Sequence, residues 1–256
     1  MTHRQLDALI YRIPPDLRRW PRAQQRRFRL QCVRVGTVNL GSLQRLTPIS
    51  RVFGLDRGLP IDRYYIEQFL AANAAEIQGR VLEFGDNFYT RKFGGSRVTQ
   101  SDVLNVVPSQ QATIIADLTR ADTIASKLFD CIICTQTLQM IYDLRAALFH
   151  LHRILKPGGV LLVTGSGITK LARHEGIDSW GEYWHLTSQS AAHLFQEFFP
   201  SENVQVNAYG NVLTAAASLY GLAAEEFTRN ELDYRDPDYE VLITIRARKE
   251  SFVVSR

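Results

Sequence analysis

The sequence predicts a doubly wound α/β domain with a mostly parallel sheet, and three observations carry that prediction. Val81 and Leu82 lead into Glu83, and Gly85 follows two residues later. An apolar strand that ends in an acid and turns on glycine is how the first strand of such a sheet reaches its ligand-binding edge. Four further strand-like runs follow, at residues 96–101, 112–116, 129–134 and 160–164, with helix-like runs between most of them. Alternation of this kind implies parallel strands with helices on both faces. Leu144, Leu148, Leu151 and Leu155 form one apolar stripe, with Asp143 as its cap. Lys156-Pro157-Gly158-Gly159 stops that helix before the nearly continuous apolar run 160–164.

In chain order, residues 1–55 read as a basic N-terminal extension with a β-like run at 31–40. Up to Arg57 there are twelve arginines against Asp7, Asp16 and Asp56, a net charge of +9, so the remainder is −5 within a total of +4. An arginine-rich arm suits nucleic acid or an acidic membrane surface, and equally a solvated or partner-facing extension. Residues 56–250 form the predicted main domain. Asp56, Gly58 and Pro60 open it, and Ile61, Tyr65, Phe69 and Ala72 step at helical spacing through a helix over 61–77, which Gly79 closes. Strand one covers 80–84, strand two ends at Asp102, strand three at Asp117, and strand four runs into Thr135-Gln136. A polar, aromatic loop over 165–186 follows strand five. A helix over 188–199, a strand over 204–209, a helix over 211–227 and a last strand over 239–247 complete the domain.

Apolar residues make up 45% of the chain, enough for a sizeable core. No run of about 18 apolar residues is present, so no membrane span is expected. The first twenty residues lack the apolar core of a secretory signal. Three cysteines do not make a disulfide framework, and a cytoplasmic chain with reduced thiols is the default expectation. Cys131 and Cys134, three apart on a strand, point to opposite faces and are expected to be packed thiols. No metal-ligand spacing is visible.

The run Phe129-Asp130-Cys131-Ile132-Ile133, then Leu138, then Arg153-Ile154-Leu155-Lys156-Pro157-Gly158-Gly159-Val160-Leu161-Leu162-Val163, with Val81 to Gly85 upstream, resembles class I S-adenosylmethionine-dependent methyltransferases. The stretches Asp56 to Ile66, Trp180 to Trp184 and Asp236 to Tyr239 resemble a bacterial subgroup often associated with glycosyltransferases. The resemblance implies a Rossmann-like, seven-stranded doubly wound sheet, mostly parallel with the last strand antiparallel, behind the N-terminal extension. It divides the domain into a cap helix (56–79), a cofactor half (80–165) and an acceptor half (166–250). The first loop departs from the family's acid-x-Gly-x-Gly-x-Gly, because Asn87 and Tyr89 replace the second and third glycines. Asn87 is expected to tolerate the positive φ; Tyr89 does not offer glycine's close backbone approach.

The cofactor implied is S-adenosylmethionine. It carries no phosphate, so a poor glycine loop harms it less than it would a dinucleotide. Glu83 and the backbone at Gly85, with Asp86 beside them, are expected to face the methionine portion. Asp102 is expected on the ribose hydroxyls, Asp117 on the adenine amino group and Gln136 on the methionine. Tyr64 or Tyr65 is expected to reach the methionine carboxylate or flank the sulfonium by cation–π contact. Each acid has a plainer alternative as a turn or helix cap. Trp180, Glu182, Tyr183 and Trp184 are the implied acceptor wall. Among His174, Glu175, Asp178, Glu182 and His185 the preferred catalytic base is His185, whose ordinary pKa lies nearest working pH.

The implied activity is methyl transfer to a hydroxyl or amine of a small molecule, a sugar or other natural product. The alternatives are an inactive binding or scaffold protein with a degenerate cofactor loop, and, ranked last, a nucleic-acid methyltransferase guided by the arginine arm. Expected partners are the small-molecule acceptor, a glycan or glycosylated metabolite among the options, and a second copy of the chain.

Overall fold

In the computed structural model, residues 36–173 and 181–251 are described. Contacts divide the chain into two units, at residues 1–46 and 47–256. In the first, the described part is an exposed segment with one 3₁₀ turn, Gly41–Leu43. The expected β-like run at 31–40 lies mostly outside the described residues, and residues 36–40 form no strand.

The second unit is built on a seven-stranded sheet of order β3-β2-β1-β4-β5-β7-β6. The strands are β1 (Gly79–Phe84), β2 (Val98–Asn105), β3 (Ile114–Ile115), β4 (Phe129–Thr135), β5 (Leu155–Ser166), β6 (Val204–Tyr209) and β7 (Leu242–Arg248). The first five are parallel, and β7 runs antiparallel to both β5 and β6. Each face of the sheet carries a buried cluster. Leu82, Ile132, Cys134 and Phe195 lie in one, and Val81, Cys131, Ile133 and Tyr65 in the other. The two thiols therefore occupy opposite faces as the strand period requires. Both are free, and burial pushes Cys134 up to about 12.

Helix α1 (Ile61–Ala72) begins after Pro60 and buries Ile61, Tyr65, Ile66, Phe69 and Leu70. It is shorter than the predicted 61–77 because the side chain of Asn73 donates to Phe69 O at 2.8 Å and closes the last turn. Helix α2 (Leu144–Ile154) is capped by Asp143, which accepts from Ala146 N at 3.0 Å. Helix α3 (Ser188–Gln196) has Thr187 as its cap, and α4 (Val212–Tyr220) has Asn211. The predicted helix over 211–227 is broken by Gly221 at φ +71°, and a short α5 (Arg229–Asp233) follows. A Cβ on Gly221 would lie 2.3 Å from Ser50 O. Glycine is thus needed both for the left-handed turn and for the approach of residues 49–60, which Ile49 N and Ser50 N tie to Tyr220 O and Arg57 ties to Glu226.

Strand β2 corrects the sequence reading. It begins at Val98 and runs on to Asn105, with Asp102 paired to Leu82 in mid-sheet. Burying an acid inside a sheet is costly; here a neighbouring arginine offsets the cost. The segment Lys156 to Gly159 also lies within β5, which starts directly after α2 at Leu155.

Candidate active site

The carboxyl ends of β1, β4 and β5 open on a cleft of about 370 Å³, roofed by the start of α1 and by Phe53 and Leu55. That volume suits a small-molecule site, typically about 300–1,000 Å³. The cleft lies where the chain order along the sheet reverses, between β1 and β4, which is where open α/β sheets bind ligands.

Glu83 is the acid at its floor and is only 2% exposed. Its Oε1 accepts from Tyr89 N at 3.0 Å and its Oε2 from Thr90 N at 2.7 Å. Burial pushes this carboxyl above the ordinary glutamate range, against hydrogen bonds from Thr90 and Tyr89 that pull it down. Glu83 thus fastens the loop after β1. In that loop Gly85 takes φ +84°, and a Cβ there would meet nothing within 4 Å. Asn87 is not among the positive-φ residues, contrary to expectation; its amide instead donates to Ser101 Oγ at 3.3 Å. Tyr89 packs in the core cluster and also lines the cleft, and burial raises its hydroxyl to about 12. Asp86 lines the cleft and accepts from Phe88 N at 2.8 Å. Phe88 is 47% exposed and is not part of the cleft wall, so the rim is not plugged by it.

Gln136 takes φ +48° directly after β4, an uncommon conformation for a side-chain-bearing residue and one that concentrates at functional sites. Its Oε1 accepts from Ser166 Oγ at 3.0 Å and from Gln139 Nε2. Gln139, 3% exposed, lines the cleft with an Oε1 that has no hydrogen-bond partner. A buried orphan acceptor is costly unless a ligand supplies a donor.

Four expected site residues stand elsewhere. Asp102 does not reach the cleft: its carboxylate is held by Arg80 through Nε at 2.7 Å and Nη2 at 3.3 Å. The side chain at the tip of β2 is Asn105, which donates to Gly85 O at 3.2 Å and to Ser109 Oγ at 2.7 Å. Asp117 is exposed and caps a 3₁₀ turn, accepting from Thr119 N at 2.8 Å. The picture of three carboxylates converging from three strand tips is therefore corrected; Glu83 alone of them lines the cleft. Tyr64 donates to Asp233 at 2.9 Å and Tyr65 to Leu232 O at 2.8 Å, so both face α5 and not the cleft. The helix period places their neighbours Asp62 and Arg63 on the cleft wall instead. Burial pushes the Asp62 carboxyl up. Residues 62 to 65 cover a full turn, and only packing shows which side faces the sheet's rim.

On the acceptor side, Thr169, Lys170, Ala172 and Glu182 line the cleft. Trp180, His174, Glu175 and Asp178 lie outside the described residues. Tyr183 and Trp184 donate their backbone N–H groups to Gln139 O, and Trp184 Nε1 donates to Ile141 O at 3.0 Å. Tyr142 stacks on Trp184 and meets Tyr183 edge-on, forming an exposed aromatic group beside the cleft. His185 is not on the wall; its Nε2 lies 3.5 Å from Glu182 Oε1. Among the described residues, no group of three or more His, Cys, Asp or Glu is placed to hold a metal ion, and no helix is long and apolar enough to cross a membrane.

The strand order, the antiparallel β7 and a rim cleft between β1 and β4 define a class I S-adenosylmethionine-dependent methyltransferase. A family model described as a methyltransferase domain matches residues 60–206. The chain belongs to that methyltransferase family, and its cofactor is S-adenosylmethionine. No curated protein matches it. Similar solved structures include the [4+2]-cyclase SpnF, at 15% identity and TM-score 0.48, over 76% of this chain and 84% of that one. A phosphoethanolamine N-methyltransferase 2 from Haemonchus contortus is 14% identical with TM-score 0.49, over 72% of this chain and 53% of that one. This chain thus spans about half of that protein's length. The N-methyltransferase NodS from Bradyrhizobium japonicum is 16% identical with TM-score 0.45, over 75% of this chain and 98% of that one.

The residues present fit the cofactor. A left-handed Gly85 with open space at its Cβ leaves room for close approach, and the orphan Gln139 Oε1 offers an unused acceptor. Gly85→Val is expected to weaken S-adenosylmethionine binding about tenfold or more. A β-branched residue at φ > 0 is strained, and its side chain fills that space. Calorimetry on the folded variant checks it; full affinity would show that the loop does not touch the cofactor.

Proposed function

We propose that the protein transfers a methyl group from S-adenosylmethionine to a hydroxyl or amine of a small molecule, a sugar or related natural product. The observation that carries this reading is the single cleft with two different walls. One side carries Glu83, Phe84 and Asp86 with Asp62, Arg63 and Gln136; the other carries Thr169, Lys170, Ala172 and Glu182. Such a cleft admits a cofactor end to end with a compact acceptor. Arg63 is assigned to the methionine carboxylate and Asp62 to the ammonium, since each offers the opposite charge. Asp86 and Asn105 are assigned to the ribose edge.

When bound, the cofactor supplies an electrophilic methyl on a sulfonium. The chain's own contribution is alignment and exclusion of water. Glu83 holds the loop in place, Gln136 and Gln139 fix the floor through Ser166, and Phe53 and Leu55 cover the cleft. The exposed Tyr142, Tyr183 and Trp184 offer flat apolar faces to the outer part of an acceptor.

Calorimetric titration with S-adenosylmethionine tests the first half of the reading. Saturable heat is expected, weakened about tenfold or more in Arg63→Ala, which loses a charge-assisted hydrogen bond of roughly 1.4 kcal/mol or more. No heat at millimolar ligand would favour the scaffold alternative. Radiolabelled methyl transfer to a panel of hydroxylated and aminated small molecules tests the second half.

A further inference from the structure

We propose that Glu182 accepts the proton that the acceptor's hydroxyl or amine loses on methylation, and that His185 passes it on to solvent. This deepens the small-molecule reading above and rests on it. Glu182 lines the cleft, yet its side chain is only 1% exposed. Its Oε2 accepts from Ala172 N, while Oε1 is buried with no hydrogen-bond partner. A carboxylate oxygen left unpaired in a cleft costs free energy that a donor on a bound ligand would offset. His185 Nε2 stands 3.5 Å from that same oxygen, and the His185 side chain is 30% exposed. The pair therefore steps from a closed cleft wall to water.

The segment is firmly held. Tyr183 N and Trp184 N donate to Gln139 O and Leu186 N donates to Ser166 O, so Glu182 sits on a strap fixed to the cleft floor. Lys170 faces the pair from the segment after β5. Its ammonium lies 3.5 Å from the Phe53 ring centroid; burial lowers its pKa, with Arg51 adding to the drop and Glu182 opposing it. The other charged groups around the cleft are Asp62, Arg63, Glu83 and Asp86.

The step balances as follows. The acceptor heteroatom forms a bond to the methyl carbon while the carbon–sulfur bond breaks, and its electron pair stays on sulfur. The heteroatom's proton moves to Glu182 Oε1. The neutral His185 imidazole takes that proton at Nε2 and releases the one on Nδ1 to water, which returns Glu182 to its carboxylate form; exchange of the ring protons with water through the exposed edge then restores the starting tautomer.

The test uses the full chain with labelled S-adenosylmethionine and a probe panel of methyl glycosides, catechol and phenethylamine. Glu182→Gln keeps an oxygen for Ala172 N–H but cannot take a proton, and is expected to lower kcat about 10²-fold or more with the KM for the cofactor unchanged. His185→Ala is expected to lower kcat by a smaller factor, restored in large part by added imidazole, which should not rescue Glu182→Gln. Unchanged kcat in either variant, or a loss in His185→Ala that imidazole does not restore, overturns the relay while leaving methyl transfer standing. A wild-type protein that methylates none of the probes overturns the small-molecule reading and the relay with it.

Discussion

Glu83→Ala is expected to cost about 3 kcal/mol of stability and to abolish binding of S-adenosylmethionine. Two amide N–H groups, those of Tyr89 and Thr90, lose their acceptor inside the protein. Each buried donor left unsatisfied costs about 1–3 kcal/mol. The same two bonds set the path of the loop that carries Gly85 and Asp86, so the folded fraction should also have lost its cofactor wall. Denaturant melts and calorimetry on one preparation would check both parts; a variant of wild-type stability would show that the loop holds itself.

Glu83→Gln gives the pH counterpart. Burial raises the folded carboxyl above its ordinary value, so the folded state holds its proton longer than the unfolded chain does. The stability from this group is therefore fully present below the ordinary glutamate range, and it is lost as pH rises through the raised folded value. Relative to wild type, Glu83→Gln should gain stability over that rise. The opposite trend would mean that the hydrogen bonds of Tyr89 and Thr90 outweigh burial. Asp130 and Glu76 have the other sign. Burial pushes each up, but Lys156 and Arg80 N–H for Asp130, and Arg246 with Arg248 for Glu76, pull them below the ordinary range. Their contributions are lost as pH falls through the depressed values.

Asp102→Ala is expected to destabilise the domain by about 3 kcal/mol, near the lower end for breaking a buried pair because Arg80 keeps some solvent contact. The side chains of Arg80 and Asp102 are 28% and 7% exposed, and Arg80 also stands 5.4 Å over the Phe129 ring. Removing the acid leaves the guanidinium without its partner between strand and ring. Replacing both, as Arg80→Met with Asp102→Leu, should recover most of the loss, because well-packed apolar residues often replace such pairs without penalty. Cofactor affinity per folded molecule should not change in either variant. A drop in affinity at unchanged stability would return Asp102 to the binding site.

Much of the fold was legible because parallel strands buried on both faces read as apolar runs, and β1 and β4 came out close to their predicted limits, as did the antiparallel edge strand β6. Where the reading failed, a residue type had two local uses. Asp102 looked like a strand terminator and is a buried ion-pair partner. Asp117, read as a ligand with a turn cap as its plainer alternative, does cap a turn and lies outside the cleft lining. Gly221 broke a helix that the Ala/Leu pattern would have continued.

The candidate site divides in the same way. Glu83 and Gln136, read from the strand ends and the switch point, line the cleft because those features are written in sequence order. Asp62 and Arg63 were passed over for Tyr64, and His185 was preferred to Glu182, because the side facing the cleft depends on how α1 and the strap pack. Hydrophobic periodicity and the order of strands and glycines are properties of the chain, and they determined the methyltransferase sheet and its rim. Which charged side chain is buried, paired or left open depends on neighbours up to 172 residues away, as between Arg248 and Glu76, and only the tertiary structure decides that.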